Sequence, residues 1–232
     1  MDKQQIIAEL HRDLESVLAE RQAARAFPEA YAARTALRQF QSDRMSRTHA
    51  DLLEDSETRA AANFFLSDLY GPHDLSQRDT NLQRALPTIE RMLPVPALAG
   101  VAEAISLDAL SERLDAGMAN LLGAEFSETG YVDAYRKVGT RADRARQLDH
   151  VDRLGAALTD LVGYPLIGKT LSLMKMPAKL AGVAHLHDFL ERGFKAFEAM
   201  RKPQDFVDKV VTRERQIMDQ IYSGKKKPFV LD

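Results

Sequence analysis

The chain of 232 residues contains no cysteine and no tryptophan. Without cysteine it cannot form disulfides, use a thiolate nucleophile, or hold an iron–sulfur cluster or a thiolate zinc site. The absence also suits a reducing compartment. The first residues are polar and lack the basic segment and the apolar run of a secretory signal. We therefore predict a cytoplasmic protein.

Long apolar runs and alternating patterns are missing as well. No segment approaches the roughly 18 consecutive apolar residues of a membrane span, so we predict no transmembrane segment. Apolar residues instead recur every three or four positions, and leucine outnumbers valine and isoleucine combined, which is typical of helices. The sequence predicts an all-α, single-domain bundle of about eight or nine helices over residues 1–224. A basic C-terminal tail, residues 225–232, should follow as a solvated, frayed end.

Capping residues, proline and glycine predict where the helices begin and end. A second helix should run from about residue 28 to residue 53, and Ser56 should cap the third. Thr140 and Asp143 have the spacing of a capping box for a later helix. After Tyr164 the pattern becomes irregular. Three residues should break this part into short helices: Gly168, Pro177 and Gly182.

The histidines do not match the spacing of common metal sites. Helical di-iron sites place an acidic residue three positions before a histidine, so that both ligands project from one helix face. No histidine here has an acidic residue or another histidine three or four positions upstream. We therefore predict no metal site and no cofactor, and we favour a protein without enzymatic activity. The alternative is a helical oxygenase-like enzyme whose metal or haem is held by scattered histidines. The candidates are His11, His49, His73, His150, His185 and His187.

Residues 163–170 match the spacing of a phosphate-binding loop, Gly-x-x-x-x-Gly-Lys-Thr. Such a loop aims backbone N–H groups at phosphate from the end of a β-strand. Here Pro165 removes one donor and a predicted helix lies upstream, so we reject nucleotide binding. The serine hydrolase motif Gly-x-Ser-x-Gly is absent. We also predict no nucleic-acid partner, because the arginines of residues 29–51 share that segment with acids and the pI is about 6.3.

Residues 64–70 read Phe-Phe-Leu-Ser-Asp-Leu-Tyr, an apolar helix end of high aromatic density. This segment resembles an uncharacterised group of bacterial proteins named for a Phe-Phe-Leu-x-x-Leu-Tyr motif. Two glutamates commonly fill the variable positions of that motif, where this chain has Ser67 and Asp68. The resemblance extends to about Leu93 and implies no established activity. The motif residues are candidates for packing or interaction: Phe64, Phe65, Leu66, Leu69 and Tyr70.

Charge is unevenly distributed along the chain. Residues 1–160 carry 19 basic and 26 acidic side chains, whereas residues 161–232 carry 13 and 8. Within the second part, residues 161–187 contain no acid and three lysines. Spaced lysines among apolar residues indicate either packed core with snorkelling lysines or contact with an anionic amphiphile. The candidate contacts for an anionic ligand are Lys169, Lys175 and Lys179.

These features favour a non-enzymatic binding or adaptor protein. Its predicted partner is either another protein or an anionic lipid or acyl ligand, met through residues 161–187. Peripheral contact with a membrane surface is one form of this hypothesis.

Overall fold

The computed structural model describes residues 2–69, 76–93, 95–180, 182 and 184–231. Within these ranges the protein is built of eleven α-helices and one π-helix, without a β-strand. The α-helices are α1 Lys3–Ala26, α2 Pro28–Thr48, α3 Ala50–Glu54, α4 Arg59–Asn63, α5 Ser76–Met92, α6 Val95–Leu122, α7 Glu128–Lys137, α8 Arg141–Val162, α9 Pro165–Leu180, α10 Ala184–Glu198 and α11 Pro203–Tyr222. The π-helix, Phe64–Leu69, continues directly from α4. The prediction of an all-α fold is confirmed.

Several helix ends follow from local chemistry. The Asp2 side chain accepts a hydrogen bond from the backbone N–H of Gln5, and the Gln5 side chain accepts one from the backbone N–H of Asp2. The two bonds form a capping box at the start of α1. Thr140 and Asp143 form the same arrangement before α8, as predicted. Pro28 and Pro203 each occupy the first residue of a helix, where the missing N–H costs nothing.

The structure differs from the prediction in the helices that flank the π-helix. The predicted helix over residues 28–53 ends at Thr48, and the short α3 follows. Ser56 does not cap the third helix, because α4 begins at Arg59 with Thr58 at the N-cap. With the additional short helix α3, the described chain has eleven α-helices, more than the predicted eight or nine.

The predicted breaks in residues 165–200 are also partly wrong. Helix α9 passes through Gly168 and Pro177 to Leu180, and only Gly182, with φ +73°, lies between helices. Pro177 is exposed, so water can bond the carbonyl that its ring leaves without a donor.

Three clusters of buried apolar side chains hold the helices together. The first lies between α1, α5 and α6, and includes Leu10 and Leu98. The second joins the π-helix to α10 and α11. The third lies between α2, α6, α7 and α11, around Tyr131. Helices α8 and α11 approach closely at Gly155. A Cβ added to Gly155 would lie only 2.3 Å from Cγ1 of Val207.

A buried ion cluster adds to the contact between α1, α2 and α6. Glu112 of α6 is buried and accepts a hydrogen bond of 2.9 Å from Nε of Arg21. Arg34 and Arg38 of α2 bind the same carboxylate. Burial alone would raise the pKa of Glu112, but the three arginines outweigh it and lower the pKa. The carboxylate therefore stays charged and ties three helices together.

The C-terminal tail is not frayed in the way the sequence predicted. Lys225, Lys226 and Lys227 are exposed, but the chain then returns to the third core cluster through Phe229 and Leu231. The Phe229 ring lies 6.0 Å from the Tyr131 ring, between ring centroids. Burial of an aromatic side chain outweighs the entropy that the tail would otherwise keep.

Across the described ranges, every helix is too short or too polar to cross a lipid bilayer.

Candidate functional site

Among the described helices, α9 carries the largest number of exposed large apolar side chains. Four of its side chains recur at spacings of seven, three and four residues, so they share one face of the helix. These are Leu166, Leu173, Met176 and Leu180, with exposed fractions of 71%, 78%, 62% and 84%. We call this set the α9 stripe. The opposite face is the packed one: Ala178 is buried, and Phe194 of α10 lies against Gly168.

The three candidate lysines lie on the same helix as the stripe. Lys169, three positions after Leu166, lies on the same face of α9 as the stripe, and all three lysines are exposed. Tyr164, just before the helix, is 64% exposed. The structure thus brings the predicted lysines together with an apolar surface that no described part of the chain covers.

The aromatic motif lies in the π-helix. Phe64 and Phe65 point to different neighbours, because Phe64 packs on Phe189 with a centroid distance of 5.1 Å, whereas Phe65 packs on Phe197 and Phe206. Leu66 is half-buried and Leu69 ends the π-helix, while Tyr70 lies outside the described residues. π-helical turns are rare and frequently mark functional sites.

Phe65 and Leu66 form part of the wall of a cavity of about 120 Å³. Its lining comes mainly from α2, the π-helix, α7, α8 and α11. Most of the walls are apolar and include Leu52, Val151, Phe206 and Val211. We call this space the π-helix cavity.

One ion pair of the π-helix cavity joins α2 to α11. Nη1 of Arg44 donates to both carboxylate oxygens of Glu214 at 2.5 and 2.6 Å, and Nε2 of His49 lies 2.9 Å from Oε1. Burial alone would raise the pKa of Glu214, but Arg44 and His49 outweigh it and lower the pKa to about 2. Glu214 is therefore ionised, and because an ionised carboxylate only accepts, Nε2 of His49 carries the hydrogen.

A second arginine in the cavity wall, Arg144 of α8, is 2% exposed. Its guanidinium lies over the Tyr135 ring, with Cζ 4.0 Å from the centroid. It donates to Oε1 of Gln147 at 3.1 Å and to the Met118 sulfur at 3.0 Å. Within the described part of the chain, no carboxylate lies within ion-pair distance of Arg144. Burial raises the pKa of Tyr135, so its ring is neutral and does not supply the missing negative charge.

No motif in the sequence assigned Arg44, Arg144 or Glu214 to a site. Arg44 and Glu214 lie 170 positions apart, and no local motif connects them. A usable signal was nevertheless present, because Glu214 is three or four positions from Val210, Val211, Ile217 and Met218. A charged residue on the apolar face of a helix is buried, and a buried charge requires a partner.

Apart from His185 and His187, which both belong to α10, the described histidines lie in separate parts of the fold. His11 lies 2.6 Å from Glu90 and His150 lies 2.7 Å from Glu103, each beside a carboxylate of another helix. His185 is exposed, and His73 lies outside the described residues. His187 is buried, and its Nε2 donates to the carbonyl of Leu171 at 2.7 Å. Together with Asp188 and Glu191 it forms a group whose ligand atoms lie within 4.8 Å of one another.

The fold and these sites define a class: a single-domain, all-α protein with an exposed apolar helix and an internal cavity lined by two arginines. The chain belongs to the family described as a domain of unknown function, DUF8198, whose model matches residues 20–228. No curated protein and no solved structure matches the chain. The match includes the π-helix, α9 and all residues of the π-helix cavity.

Proposed function

We propose that this protein is a non-enzymatic binding protein that attaches to an anionic membrane surface through α9. The observation that carries the proposal is the α9 stripe, because a face of four large apolar side chains in water is unfavourable unless a partner covers it. Lipid is the partner that the charges favour. Helix α9 itself carries three lysines, Lys169, Lys175 and Lys179, and no acid, which complements an anionic headgroup layer.

The two contributions have different magnitudes and different salt dependence. Each lysine near an anionic leaflet contributes about 1 kcal/mol, so three contribute ~3 kcal/mol, and salt screens this term. Full burial of a leucine or methionine side chain contributes about 1.5–3 kcal/mol, of which an interfacial helix gains a part. Because the apolar term is insensitive to salt, binding should weaken in high salt without disappearing.

A cytoplasmic location belongs to this proposal. The absence of cysteine suits a reducing compartment, and the cytoplasmic leaflet carries the anionic lipids that the lysines would meet. We also propose that the aromatic motif of residues 64–70 places this chain among the bacterial proteins that share it.

Flotation with liposomes tests the membrane proposal. The full chain should float with vesicles of phosphatidylcholine and phosphatidylglycerol, and much less with phosphatidylcholine alone. The double variant Leu173→Ser, Leu180→Ser should lose flotation at every salt concentration. The triple variant Lys169→Gln, Lys175→Gln, Lys179→Gln should lose its preference for the anionic vesicles. Both variants change exposed side chains, so they should fold normally by circular dichroism.

The tail lysines supply a matched control. The variant Lys225→Gln, Lys226→Gln, Lys227→Gln removes the same charge from another exposed segment, and it should float like the unchanged protein. Equal loss in the tail variant would contradict a contact made by α9. A stable dimer in light scattering that the serine double variant abolishes would also overturn the proposal, because a second copy would then cover the stripe.

The second candidate function is a metal-dependent enzyme, the alternative that the sequence left open. Its support is the group of His187, Asp188 and Glu191 on α10. The backbone carbonyl that receives the hydrogen of Nε2 leaves Nδ1 of His187 as the nitrogen able to bind a cation. Elemental analysis and an absorption spectrum of the purified protein test this candidate. A stoichiometric metal that His187→Ala removes would favour it over the binding protein.

A further inference from the structure

The π-helix cavity contains buried nitrogen atoms without hydrogen-bond partners. Nε of Arg44, Nε of Arg144 and Nδ1 of His49 are each inaccessible to solvent and unpaired. A buried polar group without a partner costs about 1–3 kcal/mol. Three such atoms in residues that line one cavity indicate that a bound molecule completes the hydrogen bonding there.

The charged residues of the cavity indicate which sign of charge that molecule should carry. The charged residues of the lining are Arg44, Arg144 and Glu214, two cations and one anion. Glu214 already pairs with Arg44, whereas the side chains that contact Arg144 among the described residues are neutral: Gln147, Met118, Tyr135 and Tyr222. A buried charge without a counterion is strongly unfavourable. An anionic ligand would neutralise Arg144, whereas a cationic ligand would be a third positive charge and would be repelled.

The walls and the volume specify the rest of the molecule. A cavity of roughly 150 Å³ with apolar walls admits benzene, and the π-helix cavity, at about 120 Å³, is of that order. Inorganic phosphate would satisfy the arginine but would leave Phe65, Val151 and Phe206 without apolar contacts. A carboxylate on an apolar body of a few carbon atoms satisfies both the charge and the walls.

We infer that the π-helix cavity binds a small organic monocarboxylate of about the size of benzoate, with Arg144 as its principal contact. The guanidinium of arginine pairs with a carboxylate through two parallel N–H donors, a geometry that lysine cannot supply. The aromatic motif then has a role in binding, since Phe65 and Leu66 provide part of the apolar wall. This site is separate from the α9 stripe and is independent of the membrane proposal.

Binding of benzoate to the full chain, followed by calorimetry and by the melting temperature, tests the inference. Benzoate should bind and raise the melting temperature. Benzyl alcohol has nearly the same shape without the charge and should bind more weakly by about tenfold or more. Inorganic phosphate should not bind. Equal binding of benzyl alcohol would overturn the requirement for an anion, and equal binding of phosphate would overturn the requirement for an apolar body.

Variants locate the site. Arg144→Met keeps much of the side-chain volume and should abolish benzoate binding, whereas Arg146→Met changes an exposed arginine of the same helix and should leave it unchanged. Val151→Phe adds volume to the cavity wall and should block binding in a protein that keeps both arginines. Val151→Phe therefore still tests the inference if the Arg144→Met variant does not fold. Benzoate binding that survives Arg144→Met, or that survives Val151→Phe in folded protein, would refute the assignment. Neither variant should change liposome flotation, so the failure of one proposal leaves the other testable.

Discussion

Replacement of Glu214 by Gln measures the stability that its ion pair gives the fold. The variant keeps the shape of the side chain but leaves Arg44 as a buried cation without a counterion, and weakens the bond to Nε2 of His49. Removal of one partner of a buried pair costs about 3–5 kcal/mol. We expect the lower end, about 3 kcal/mol, because the Glu214 side chain is still 12% exposed.

Urea unfolding followed by circular dichroism measures this cost directly. For a chain of this length each kcal/mol lowers the melting temperature by ~2–4 °C, so the expected decrease is roughly 6–12 °C. Asp219→Asn is the matched control on the same helix, since the Asp219 pair with Arg141 is exposed on both sides and should contribute at most about 1 kcal/mol.

Two results would contradict a large contribution of the buried pair to stability. The first is an equal loss of stability in Glu214→Gln and Asp219→Asn, which would mean that burial does not strengthen the pair. The second comes from the double variant Arg44→Met, Glu214→Leu. Because it removes both charges, it should regain most of the lost stability, and a double variant less stable than Glu214→Gln would contradict the expectation.

Three further predictions concern pH, helix packing and the tail. The pKa of Glu214 is lowered from 4.5 to about 2, so its contribution to stability is complete above about pH 4.5 and is lost as the pH falls through 2. In acid unfolding the Asp219→Asn variant should still show this loss of stability, whereas the Glu214→Gln variant should not. Gly155→Ala places a Cβ against Val207 and should destabilise the protein by about 1–3 kcal/mol in urea, with recovery on adding Val207→Ala. Phe229→Ala should cost about 2 kcal/mol by the same assay, whereas Val230→Ala, at a more exposed neighbour, should cost much less.

The helical class and several boundaries could be predicted because they depend on local signals. The capping box of Thr140 and Asp143 acts within three residues, and the apolar period acts within a few turns. The breaks at Gly168 and Pro177 were predicted wrongly because intrinsic propensity is a weak constraint, which packing of α9 on α10 overrides. Gly168 is useful in that packing, because it lets Phe194 approach.

The cavity could not be predicted from the sequence, for a different reason. Its two arginines belong to α2 and α8, and its glutamate belongs to α11, so only the tertiary fold brings them together. The three lysines of α9 could be found because a single helix carries them. Their exposure depends on which face of α9 packs against α10, and the sequence left both arrangements open.

The π-helix makes the number of residues in the motif segment important as well as their identity. An α-helix turns by about 100° per residue, so each inserted or deleted residue changes the direction of everything beyond it by that angle. A π-helical turn contains one residue more than an α-helical turn. Deletion of one residue from Phe64–Leu69 would remove the extra residue of the π-helix and change which side chain of the motif occupies each position around the helix axis. Relatives that share this cavity should therefore preserve the length of the segment even where Ser67 and Asp68 are replaced.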